Sequence, residues 1–486
     1  MSKRTAGILM PIFSLPGKYG IGTLGKAAYR FADFLKKSGQ SYWQILPIGP
    51  TGYGDSPYQS FSCFAGNPYF IDLEMLEDEG LLRREECEDV DFGDDSRQVE
   101  YDRLFYGRFP LLLKAYERFL QRSNASAVGS DAHAEYEEFQ IFCVEQAYWL
   151  DGYATFMAKK DNRFSADYYR FLQYKFRKQW NALRKYVNGL GIQIIGDIPI
   201  YVSADSSDVV DDPKLFQLTQ DGTPKAVAGC PPDAFAEKGQ LWGNPLYDWK
   251  YHESQGYAWW IRRVKYCLGL YDVLRIDHFR GFDEYYSIPF GDKDATGGHW
   301  EKGPGMGLFR AIQTALPDAK IIAEDLGFVT ASVRKLVKDS GFPGMKVLQF
   351  AFDSRESEDY RPCTWPKHSI AYTGTHDNQT LKSWLLEISE DDQKMVADAL
   401  HMSVKALLKS DYVKALIRMT LDAAPDTAIV PLQDYLELDR DARINTPSTL
   451  GGNWSYRFLS ADFDDTLAAE IRNMTEESRR DGKTDN

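Results

Sequence analysis

A series of short apolar runs with almost no polar alternation, spaced along the whole chain, limits what this sequence can fold into. They fall near residues 7–10, 43–47, 192–197, 272–277, 320–324, 346–350, 369–372 and 428–432. Runs rich in Ile, Leu and Val that lack a polar face suit strands covered on both sides, as in a parallel sheet. Helical patterns stand between several of them. Residues 27–37 read as one helix ended by Gly39, and 306–316 and 331–338 follow the fourth and fifth runs. Eight strands with helical crossovers predict an α/β fold, a (β/α)8 TIM barrel.

The spacing is uneven. About 145 residues separate the second and third runs, too many for one loop. Phe176, Trp180, Leu183 and Val187 fall on one face of a helix there, and Phe139, Phe142, Cys143, Ala147 and Leu150 on another, both as core stripes. A helical insertion over about 65–190 follows, with a flexible small-residue loop at 123–130. A second insertion spans about 203–260. The expected organisation is a single catalytic barrel over 1–475 with large, mainly helical insertions, and a polar, frayed C-terminal tail over 476–486.

At 43% hydrophobic residues the 486-residue chain can bury a sizeable core. A net charge of −14 argues against nucleic acid or an anionic membrane as partner and suits a neutral soluble substrate. No run reaches the roughly 18 apolar residues of a membrane span. The basic pair Lys3-Arg4 precedes an apolar run, but Pro11 interrupts it, so a first barrel strand is a better reading than a signal peptide, and the expected location is the cytoplasm. Six scattered cysteines with no C-x-x-C pair suit free thiols in a reducing compartment, and no Cys or His cluster has zinc-ligand spacing. No cofactor is expected.

Three of the polar positions matter most. Asp277 closes Val273-Leu-Arg-Ile-Asp277, Glu324 closes Lys320-Ile-Ile-Ala-Glu324, and Asp377 lies in Gly374-Thr-His-Asp-Asn378. Apolar runs ending in carboxylates are how buried parallel strands deliver acids to the open end of a barrel. Alternation turns Arg275 and Asp277 to one side and Leu274 and Ile276 to the other. A guanidinium beside Asp277 is expected to lower its pKa and keep it ionised, as a glycosidase nucleophile must be; a structural ion pair is the other reading. Glu324 suits a general acid whose pKa is raised by a neighbouring carboxylate, with Asp325 a competitor for the role. Acids at the ends of adjacent strands, about 4.8 Å apart, match the roughly 5–5.5 Å separation of a retaining pair. Asp377 can hold two sugar hydroxyls. His278 and His376 flank two of the acids and suit hydroxyl recognition, although Asp277, His278, His376 and Asp377 could instead ligate a metal.

Together these segments resemble the 4-α-glucanotransferases, also called amylomaltases or disproportionating enzymes, of the α-amylase superfamily. The marks are Gly7-Ile-Leu-Met-Pro-Ile-Phe-Ser-Leu-Pro16, Gly20-Ile-Gly-Thr-Leu-Gly25, Gly52-Tyr-Gly-Asp-Ser-Pro-Tyr-Gln59, Gly196-Asp-Ile-Pro-Ile-Tyr-Val202, Gly239-Gln-Leu-Trp-Gly-Asn-Pro-Leu-Tyr247, the three acid motifs, Arg443-Ile-Asn-Thr-Pro-Ser448 and Gly452-Asn-Trp454. The acid motifs alone indicate the superfamily; the segments opening at Gly52, Gly196 and Gly239 point to the glucanotransferase branch. The resemblance covers nearly the whole chain.

It implies transfer of α-1,4-glucan segments between maltooligosaccharides by a retaining mechanism, with Asp277 as nucleophile, Glu324 as acid/base and Asp377 as transition-state stabiliser. Arg275, His278, His376 and Asp197 would line the donor subsite, with Asp353 and Asn445 as further sugar contacts. Tyr53, Ser56 and Tyr58 would lie in a loop after the second strand, and Gln240, Trp242 and Asn244 belong to a segment expected as a lid loop, where flat rings stack on sugars and polar neighbours read hydroxyls. One departure is visible: the family usually has Gly where this chain has Ser448. An α-glucan hydrolase using the same acids, or a silent glucan-binding protein, remain alternatives, and the oligomeric state is open.

Overall fold

The computed structural model describes residues 3–52, 54–232, 237–327, 329–356 and 359–483. Among them lie twelve strands: β1 Thr5–Leu9, β2 Tyr42–Gln44, β3 Gln193–Ile198, β4 Ala226–Cys230, β5 Gln240–Pro245, β6 Val273–Ile276, β7 Glu284–Pro289, β8 His299–Lys302, β9 Ile321–Ala323, β10 Gly344–Val347, β11 Ser369–Tyr372 and β12 Thr427–Pro431. Eight of them close into a parallel barrel in the order β1-β12-β11-β10-β9-β6-β3-β2. These are the eight expected runs, shifted by up to three residues at their ends: the second stops at Gln44, and the sixth stops at Val347, where a 3-10 turn over Leu348–Phe350 takes over.

The barrel strands are short and buried on both faces because helices cover the outside and side chains fill the inside. Leu274 and Ile276 of β6 are fully buried on the side opposite Arg275. The interior is polar near its open end. Asp197 and Arg275 are in register on neighbouring strands, and the guanidinium Nη1 donates to Asp197 Oδ2 at 2.6 Å. Tyr372 Oη on β11 donates to Gln44 Oε1 on β2 at 2.9 Å, spanning strands that are not neighbours. Gly196 is required by close packing: a Cβ there would lie 2.1 Å from the Tyr271 ring.

Helix Lys26–Lys37 buries Ala28, Phe31, Ala32, Phe34 and Leu35 on one face and stops where Gly39 takes a φ of +73°. Helix Ala331–Ser340 starts on the Thr330 cap, whose hydroxyl accepts from Val333 N, and ends at Gly341 with φ +69°. Between β2 and β3 stand helices Tyr101–Ala125, Asp131–Lys160 and Ala166–Gly189. Phe176, Trp180, Leu183 and Val187 are buried as expected. The loop expected over 123–130 is shorter: Ser123 is helical, with its hydroxyl on Phe119 O, and Ser130 caps the next helix.

Two further features depart from the sequence reading. Strands β5, β4, β7 and β8 form an antiparallel sheet in that order beside the barrel, so the segment before β6 and the segment after it combine in one layer. The expected tail is also anchored rather than frayed as far as residue 483, the last one described. Helix Asp465–Glu477 carries it past 475, and Arg480 is fully buried, with its guanidinium on the carbonyls of Thr5, Leu421 and Ala423. A buried cation must satisfy its donors, and backbone carbonyls at the base of the barrel do so. No helix among the described residues is long and apolar enough to cross a membrane.

Candidate active site

Asp277 and Glu324 each follow directly on a pair of registered residues, Ile276 on β6 and Ala323 on β9. Adjacent strands therefore deliver both carboxyls to the same end of the barrel. The backbone reinforces this. His278 takes a left-handed φ of +51°, uncommon outside glycine, and its N–H donates to Glu324 Oε2 at 2.6 Å. Leu326 N donates to Glu324 Oε1 at 2.9 Å. Glu324 thus lies against the peptide that joins Asp277 to His278. Asp325 is used elsewhere, accepting from Met345 N at 2.7 Å.

The Arg275 guanidinium bridges two acids, Asp197 at 2.6 Å and Asp277 Oδ1 at 3.0 Å. Asp197 is fully buried and also accepts from Tyr58 Oη at 2.8 Å. Asp277 keeps 28% of its side chain exposed at the mouth, whereas Glu324 is 9% exposed.

Burial pushes Glu324 up to about 7, the charge of Asp277 adds to this, and Arg275 and the two N–H donors oppose it. Asp277 is raised too, to about 6, which corrects the expectation of a lowered value. Burial is the largest cause; Arg275 does pull Asp277 down, but Asp197 and Asp377 push it up, and the guanidinium is shared with Asp197. The two carboxyls titrate as a pair, and Asp277, which holds the guanidinium, loses its proton first.

Asp377 is placed by the segment after β11. Asn445 Nδ2 donates to its Oδ1 at 2.6 Å, His376 Nε2 lies 3.3 Å from its Oδ2, and Arg443 binds its carbonyl at 2.6 Å. Burial would raise Asp377, but His376 and Asn445 outweigh it and hold it at about 2. Burial lowers His376, yet the Asp377 charge outweighs it and raises the imidazole above its ordinary value. The His376 ring stacks on Tyr58 at 5.1 Å, and Trp454 packs on both rings.

His278 has a different ring neighbour. Its ring meets Trp242 edge-on at 4.8 Å, and burial, with help from Arg280, lowers it to about 3, so it is neutral. His278 and His376 therefore do not converge on the acids as a ligand set. Among the described residues, no three His, Cys, Asp or Glu side chains are arranged to hold a metal.

Trp242 and Asn244 lie on the edge strand β5 rather than on a loop. Pairing with β4 extends the segment, and the register slips near Gly243, whose φ is +78°. Gln240 accepts from Trp242 Nε1 at 3.0 Å. Gln59 Nε2 donates to Asn244 Oδ1 at 3.1 Å, and Asn244 Nδ2 to Val202 O at 2.8 Å, so β5 is latched to the loop after β2. Ser56 caps its own turn by accepting from Tyr58 N at 3.3 Å. The contacts described for Asp353 are with Arg355 and its own turn. Tyr53 lies outside the described residues.

Several functional neighbours were absent from the candidate set: Gln44, Gln59, Tyr372, Arg443 and Trp454. A polar Gln44 inside an apolar run was a visible signal, and Trp454 follows the glycine pair Gly451-Gly452, the same cue that picked out Trp242.

Comparison with known proteins agrees with this geometry. The 4-alpha-glucanotransferase family model matches residues 10–167 and 158–462. The chain is 44% identical over 495 residues to a 4-alpha-glucanotransferase of Clostridium butyricum, covering 96% of this chain and 99% of that one. It is 40% identical over 508 residues to that of Thermus thermophilus, covering 98% and 99%. Amylomaltase from Streptococcus agalactiae, solved in complex with acarbose, superposes with a TM-score of 0.92 at 37% identity over 99% of this chain and 100% of that one. The chain belongs to the 4-alpha-glucanotransferase family.

Proposed function

We propose that this protein transfers α-1,4-glucan segments from a donor to the 4-hydroxyl of an acceptor glucose or maltooligosaccharide by a retaining double displacement. The supporting observation is the acid pair at registered positions of adjacent strands, one held by a guanidinium and the other buried on two backbone N–H groups. Glu324 gives its proton to the glycosidic oxygen while the Asp277 carboxylate attacks the anomeric carbon. The glycosidic bond breaks, a glycosyl ester forms and the reducing-end fragment leaves. Esterification removes the Asp277 charge, so Glu324 becomes the stronger acid and is left as carboxylate. It then takes the proton of the incoming 4-hydroxyl, whose oxygen displaces Asp277.

Asp377, held as an anion, suits two hydroxyls of the distorted ring. Arg275 steadies Asp277, while Asp197, fully buried, acts through Arg275 and Tyr58. Trp242 with neutral His278, and Tyr58 with His376, offer flat walls to sugar rings. For transfer to win, the acceptor hydroxyl must be held where water would otherwise attack. The latch between the loop after β2 and β5 suits that task.

Residues 1–475 would serve as one catalytic unit. Six cysteines without a disulfide suit a reducing compartment such as the cytoplasm. Incubation with maltotriose tests the function. A ladder of longer oligosaccharides together with glucose is expected. Shortening alone would mean hydrolysis, and binding without products would mean a glucan-binding protein.

A further inference from the structure

Away from the barrel mouth, an open cleft of about 400 Å3 lies between helices Asp131–Lys160, Ala166–Gly189 and Ala258–Leu270. Gln146, Tyr148, Arg177, Arg262, Lys265, Tyr266 and Gly269 line it. Three of these seven are cations and none is an acid. On the same helix as Arg177, by contrast, Arg170, Lys175, Lys178 and Arg184 are each paired with a carboxylate. Within the cleft the cations meet aromatic rings instead. The Arg177 guanidinium carbon lies 4.7 Å from the Tyr266 ring centre, and that of Arg262 lies 5.8 Å from that of Tyr148. Burial raises the Tyr148 hydroxyl, Cys63 and Cys267 add to this, and the same two guanidinium groups oppose it.

Like charges gathered in one concavity repel each other, and a bound dianion would relieve that repulsion. The other walls narrow its chemistry. Tyr148 is 48% exposed and presents part of a flat ring. Gln146 has its oxygen engaged by Trp149 Nε1 at 3.0 Å, which leaves its amide N–H groups as donors to a hydroxyl or phosphate oxygen. A Cβ added at Gly269 would meet nothing within 4 Å, so that side of the cleft is open. The volume falls in the range of small-molecule sites. The cleft is separate from the carboxylates, although helix Ala258–Leu270 leads directly into β6, which carries Arg275.

We propose that this cleft binds a small sugar phosphate, the phosphate held by Arg177, Arg262 and Lys265 and the sugar ring laid against Tyr148. The assignment does not depend on the proposed transfer reaction. Calorimetric titration of the full-length protein with glucose 1-phosphate should show saturable binding at one site per chain. Affinity should weaken as salt rises and fall at least about tenfold in the double variant Arg262→Gln/Lys265→Gln. Both residues are exposed, so the variant should fold, and its maltotriose turnover should match that of the parent. Inorganic phosphate should bind the same site more weakly. Absence of saturable binding, or binding undiminished in the double variant, would overturn the site. Equal affinities for the two probes would overturn the sugar.

Discussion

Two carboxyls with raised pKa values set the pH response at the scale of single residues. The reaction needs Asp277 ionised and Glu324 protonated, so kcat/KM should climb through about 6 and decline through about 7, a narrow bell measurable on a donor with a good leaving group. The same shifts act on stability with a definite sign. A carboxyl whose folded pKa lies above its unfolded value contributes stability that is full below the unfolded value and lost as pH rises through the folded one. Charged Glu324 is thus a burden above about pH 7, and Glu324→Gln should raise Tm at pH 8 while leaving it nearly unchanged at pH 4. Asp277→Asn should fold normally and lose at least about 10⁴ in kcat, read from maltotriose consumption. The acids were legible in the sequence because each ends an apolar run. The pKa of Asp277 was not, because it depends first on burial at the barrel mouth and then on Arg275, whose guanidinium Asp197, some eighty residues earlier, shares only after β3 and β6 pair in register.

At the level of elements, the parallel strands were visible as unbroken apolar runs, whereas β5 was not. Gln240-Leu-Trp-Gly-Asn-Pro245 carries a glycine, an asparagine and a proline, which locally read as loop; pairing with β4 extends it despite them. The loop that carries Ser448 shows the opposite conflict. Ser448 takes a φ of +63° on an exposed tip braced by Asn453, whose side chain binds Thr446 N and Thr449 O. A side chain in that region costs about 1–2 kcal/mol, and the extra freedom of glycine in the unfolded chain offsets part of it. Ser448→Gly should therefore stabilise by about 0.5–1 kcal/mol in denaturant titration, with the catalytic side chains unmoved and turnover preserved.

Across the whole molecule, the sheet closes only where its first strand meets its last. β1 pairs with β12 along its full length, Thr5 bridges to Asp481, and Arg4 and Arg480 both bind the carbonyls of Leu421 and Ala423. Arg480→Ala should cost about 2 kcal/mol in a denaturant midpoint, because a buried side chain and its bond to Thr5 O are lost while Arg4 still serves the other two carbonyls. This anchor was hidden in a segment whose composition reads as a loose polar end; only the fold supplies the carbonyls it needs. A ribosome makes Thr5–Leu9 long before Thr427–Pro431. Until the later strand emerges, the outer edge of the earlier one has no neighbour, and the young chain must carry an open, sticky border.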